Sequence, residues 1–290
     1  MSYIAFAWIA SIIYSVNSIF AKLISKYQLK NVSQYSFFMI FFSALFSGII
    51  ALLNGATLPS NWTFVVLAGL FLSLANILYL KVLKTIDLSV FSAVFNLRVV
   101  ISIILGFVIL GEKINSQNIW IMILIIIAGI FASMDEKFSF KSFFSKSIIL
   151  GIVFVIVLVV QNIFVNRASA STNYWTVILW MGIFASIFSF IFLFYSFKKD
   201  VADSKISDYL GVMFLSLLGT FGDLAAYKAF SGNVSLSTII ISIPFSMILV
   251  FLLSFVKPEL LEKHSLKVYV LRFAMVGIMI WGRSATGSGS

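Results

Sequence analysis

Long apolar stretches separated by short polar joints run the length of the chain. Charge clusters, Asn/Pro/Gly turns and Ser-rich joints divide it into segments at 3–25, 32–53, 62–83, 88–110, 117–134, 147–167, 173–197, 209–230, 234–256 and 267–283. Each is close to the roughly 20 residues that a helix needs to cross a bilayer. The joints are short, as in NGATLPSN (54–61) and GEKINSQ (111–117), and none has room for a soluble domain. The longest, MDEKFSFKSFFSKS (134–147), lies near the midpoint, and its Phe/Lys mixture suits a short helix along the membrane surface. The pattern predicts an all-α integral membrane protein with ten transmembrane helices.

The midpoint joint also suggests a repeat. NSIFAKL (17–23) resembles QNIFVNR (161–167), and NILYLK (76–81) matches DLAAYK (223–228). Ala44-x-x-x-Gly48 in the second span is answered by Gly182-x-x-x-Ser186 in the seventh, with offsets between 138 and 147 residues across the three matches. Small residues at this spacing let helices approach closely in lipid. Five spans is an odd number, so the second half must enter the membrane from the opposite side. The expectation is two inverted five-helix repeats, 1–140 and 141–283, an arrangement that in secondary transporters places the site near the midplane. The tail SATGSGS (284–290) reads as an expression scar, and the first span, which lacks a basic leader region, reads as retained.

Composition narrows the chemistry. Hydrophobic residues make up 61% of the 290 and charged residues 10%, against about 25% charged in soluble domains. There is no cysteine and one histidine, His264, so thiol catalysis, disulfides and clustered Cys or His metal sites are excluded, and no cofactor is expected. The net charge of +10 does not point to nucleic acid, because the basic residues lie almost entirely between apolar runs. The expected partners are a small-molecule substrate and the lipid bilayer, with a homodimer left open.

The stretch LSVFSAVFNLRVVISIILGFVILGEKINSQNIWIMILIIIAGI (88–130) resembles the signature of the EamA-type transporters of the drug/metabolite transporter superfamily. A small-residue helix leads into an apolar run ending in Gly111-Glu112, then a polar turn and a helix with a late glycine, Gly129. Residues 236–280 repeat it loosely, with Pro244 where the family often carries proline; in the first half Asn96 to Arg98 occupy that region. The resemblance implies ten helices and carriage of small organic solutes, without naming one.

Polar groups inside spans are costly and mark candidate sites. Arg98 lies about ten residues from either end of its segment, roughly 15 Å from water at 1.5 Å per residue, so it should face a cavity or a partner. The obvious partner is Asp223, the one acidic residue well inside a span. A purely structural alternative closes the two into an ion pair that fixes helix packing. The functional reading has them border the substrate cavity, with Asp223 also a coupling group. Asn17, Asn76, Asn96, Gln161 and Asn162 can donate and accept to a zwitterionic or hydroxylated solute. Tyr79, Tyr227 and Trp180 can stack on a flat or cationic ligand. Trp175, after a polar turn, belongs rather to an interfacial belt, and Glu112 to a span end. Lys228 also reads as an intramembrane base.

The leading reading is a secondary active transporter, not an enzyme, in the inner (plasma) membrane, moving an amino acid or similar zwitterionic or anionic solute by alternating access, with proton or exchange coupling open. Alternatives are export of cationic amines, drugs or nucleosides, and an integral membrane enzyme acting on lipid, for which no cluster of acids and histidines is evident. Orientation is in conflict. Loops after the odd-numbered spans hold 14 of the 20 basic residues, which puts both termini outside the cytoplasm, whereas the resemblance implies cytoplasmic termini.

Overall fold

The computed structural model describes residues 2–27, 31–110, 116–132, 145–230, 240–241, 245–256 and 265–287. Among these there is no strand; the elements are α1 (Tyr3–Tyr27), α2 (Val32–Leu53), α3 (Trp62–Thr85), α4 (Leu88–Asn96), α5 (Arg98–Leu105), α6 (Ser116–Ala132), α7 (Lys146–Ser169), α8 (Tyr174–Asp203), α9 (Ile206–Phe230), α10 (Phe245–Val256) and α11 (Leu266–Gly287). Their positions follow the apolar segments closely. Six of them, α1, α2, α3, α7, α8 and α9, are long and apolar enough to cross a membrane, which makes the chain a multi-pass membrane protein. The surface-helix expectation for 134–147 and the Gly111-Glu112 turn lie largely or wholly outside the described residues.

Local chemistry sets the helix starts. Asn31 caps α2, its side-chain oxygen accepting from the backbone N–H groups of Ser33 and Gln34, and Asn173 does the same for α8 through Trp175 N–H. These bonds satisfy donors that the first helical turn leaves without partners. Asn54 and Gly55 turn the chain after α2; Gly55 has φ +80°, a conformation an L side chain resists.

The fourth predicted segment, 88–110, is helical throughout but uneven. At Leu97 the backbone N–H reaches back to Val94 at 3.0 Å, a tighter three-residue closure, so α4 ends at Asn96 and α5 begins at Arg98. Beyond α5 the turn widens into a π-helix over Gly106–Leu110. Such departures inside a helix often accompany functional positions.

Packing divides the chain into two compact units that do not coincide with the sequence halves. One comprises Met1–Ile19, Thr85–Ile156 and Phe221–Ser290, the other Phe20–Lys84 and Val157–Thr220. Both units thus take segments from each half.

In the second unit α2 lies along α8. A Cβ added to Gly182 would meet Ala44 Cβ at 3.1 Å, and one on Gly48 would meet Leu179 Cδ1 at 3.3 Å. The two small-residue motifs noted in the sequence therefore pack on one another. α3 is closer still to α8: a Cβ on Gly69 would sit 2.6 Å from Phe184 Cβ. Buried Ser73 and Ser189 share a hydrogen bond of 2.8 Å between these helices.

In the first unit α11 packs on α6 and α4, and α4 also meets α10. α1 approaches α9 over small residues: Ala7 packs on Ala229, and Ala10 on Ala225 and Ala226.

Candidate functional site

The polar groups expected to form one site fall into both units. Asn17, Asn96, Arg98 and Asp223 belong to the first; Asn76, Tyr79, Gln161, Asn162 and Trp180 belong to the second. Tyr227 lies on α9 in the first unit.

In the first unit the Arg98 guanidinium stacks over the Phe95 ring, 4.5 Å from its centroid. That ring is held by Phe91 and Phe154, with centroids 5.8 and 6.3 Å away. A planar cation on an aromatic face is an attractive arrangement that leaves its N–H edges available. Asp223 is exposed although it lies inside α9 and its neighbours Gly222, Ala225 and Ala226 are buried. Its carboxylate accepts a hydrogen bond of 2.6 Å from the Tyr14 hydroxyl. Tyr14 also lies within electrostatic reach of Arg98. Among the described residues no ion pair joins Arg98 to Asp223, so the closed pair weighed from the sequence is not what the structure contains. The Tyr14 phenol stands near both groups instead. Asn17 and Asn96 are buried and have interactions of their own.

In the second unit Asn76 and Tyr79 sit one turn apart on α3. The Asn76 side-chain oxygen is buried without a hydrogen-bond partner among the described residues, an acceptor open to a solute donor. Tyr79 interacts with buried Tyr35. Gln161 is buried and its amide donates weakly to Met181 Sδ at 3.4 Å, while adjacent Asn162 is exposed on α7. Trp180 is committed elsewhere: its indole N–H donates to the Thr57 carbonyl at 2.8 Å and its ring meets Trp62 edge to face.

Two residues escaped the sequence reading. Tyr14 could have been found, because Ser11, Tyr14, Ser15 and Ser18 make a polar stripe at i, i+3, i+4 and i+7 on an apolar helix. Arg272 is the other. It lies on α11, is 2% exposed, and is the largest fully buried side chain. Its nearness to the charged joint before α11 hid it among loop lysines. Lys228, by contrast, is exposed in the last turn of α9.

These features describe a multi-pass helical membrane protein with a cation and a carboxylate inside its spans. Residues 1–134 match the EamA-like transporter family, part of the drug/metabolite transporter superfamily. The match suggests a membrane transporter of that type and extends the resemblance read in 88–130 back to the first residue. No curated protein matches. A solved crystal structure superposes with a TM-score of 0.64 at 10% identity, covering 99% of this chain and 97% of that one, which supports the same fold along the whole length.

Proposed function

We propose that the protein is a secondary carrier in the inner (plasma) membrane that moves a small organic solute, zwitterionic or anionic, by alternating access. The observation that carries this reading is the first-unit pair: an arginine stacked on Phe95 and an accessible carboxylate bonded to Tyr14, both within membrane-embedded segments. An accessible carboxylate inside a span is costly against acyl chains, so the reading gives it a water-accessible hollow. Arg98 binds a solute carboxylate; Asp223 binds a cationic group or takes part in coupling. The ten predicted spans, arranged as two inverted repeats, supply the rocking halves that such exchange requires.

The test is counterflow in proteoliposomes with a panel of amino acids, carboxylates, amines and nucleosides. Saturable exchange of a zwitterion or carboxylate, lost in Arg98→Ala, is the expected result. Exchange confined to amines, or chemical conversion without translocation, overturns the reading.

A further inference from the structure

We propose that Tyr14 is an internal stand-in for the cationic end of a zwitterionic solute. Its hydroxyl holds the Asp223 carboxylate until the solute's ammonium group takes its place, while the solute's carboxylate pairs with Arg98. The inference rests on the carrier reading above and narrows it to solutes bearing both charges.

Three observations carry it. The Tyr14 hydroxyl sits on Asp223 at 2.6 Å, where an ammonium donor would sit. The ring is positioned by carbon contacts: a Cβ on Gly222 would meet Tyr14 Cε1 at 3.0 Å, Tyr14 Cδ1 at 3.2 Å and Ile13 Cγ2 at 2.9 Å. Glycine at 222 therefore admits the ring beside the backbone that carries Asp223. Finally, Tyr14 lies within electrostatic reach of Arg98 as well, and among the described residues Arg98 and Asp223 make no ion pair. A solute with one charge complements one of them and leaves the other unmatched inside a span, which is costly. A solute with both complements each.

The geometry makes Tyr14 a competitor for the ammonium position. Tyr14→Phe keeps the ring in the Gly222 groove and removes only the donor. In counterflow it should lower KM for the zwitterion selected by the panel by about tenfold or more, the scale expected when a hydrogen bond to a charged group is lost. KM for the matching carboxylate without an amino group should not change. Gly222→Ala displaces the same hydroxyl by crowding the ring and should shift the same ratio in the same direction.

An unchanged or raised zwitterion KM in Tyr14→Phe, with Arg98→Ala and Asp223→Asn inactive, overturns this inference alone. If Arg98→Ala and Asp223→Asn transport normally, the site itself is wrong and both readings fall. A panel that selects no zwitterion overturns the inference, whatever else is transported.

Discussion

A guanidinium inside a bilayer needs a reason to stay there, and the Phe95 face provides part of one. The stack offsets some of the cost of burial, and a guanidinium held by its face presents its N–H fork edgewise, the geometry that meets an anion. Arg98→Lys should therefore fail as a replacement, since an ammonium on a flexible stem has neither the plane nor the fork. Arg98→Ala and Asp223→Asn should each reduce kcat/KM by about 100-fold or more, the scale of losing a charged partner from a desolvated contact. Counterflow in proteoliposomes reads both, with far-UV circular dichroism to check the fold. Arg272 behaves differently. Because it is buried, its truncation to Ala leaves a cavity and should destabilise the protein by about 2–5 kcal/mol, seen as a lower thermal midpoint in detergent. The sequence exposed Arg98 and Asp223 because charge stands out in an apolar run. It did not expose the Tyr14–Asp223 bond, because a tyrosine among apolar residues is ordinary and its partner lies 209 positions away.

Helix boundaries depend on nearby residues, and they were correspondingly legible. The α2 range, Val32–Leu53, coincides with the apolar segment, since Asn31 begins it and Asn54-Gly55 end it. The small-residue motifs on α2 and α8 signalled close packing and did meet. The closest helix approach was not visible, because Gly69 has no small partner at motif spacing on its own helix; what it accommodates is Phe184. Gly69→Ala should cost about 1–3 kcal/mol by overpacking. Gly277→Ala on α11, where an added Cβ meets nothing within 4 Å, is the matched control and should leave the thermal midpoint nearly unchanged. Asn31 also ties two helices together: besides capping α2, it donates to the Ser196 carbonyl and the Asp200 carboxylate on α8. Asn31→Ala should cost about 1–2 kcal/mol, the upper range for a lost cap, measured by the same melting experiment. The unevenness inside segment 88–110 was not legible, because a tight turn at Leu97 and a wide one after Leu105 leave hydrophobicity unchanged.

For the whole molecule, a chain without cysteine is a convenient starting point for topology. Single cysteines placed at Gly55, before α3, and at Lys198, near the end of α8, should label from opposite faces of the membrane. The lysine excess puts Lys198 on the cytoplasmic face, so an impermeant thiol reagent applied outside intact cells should reach the first position and spare the second; the reverse pattern restores cytoplasmic termini. Composition made membrane residence and helical class legible because the bilayer admits few solutions. The division into packing units was not legible, since contacts between distant segments leave little trace in a single sequence. That division bears on synthesis. The last segment of the second unit ends at Thr220, whereas the first unit includes Phe221 onward. A ribosome therefore releases everything the second unit needs while Tyr14 and Arg98, made much earlier, still await their acidic neighbour. Slowing elongation before codon 223 should therefore lengthen the interval in which the charge is unmatched and the nascent chain is open to quality-control proteases.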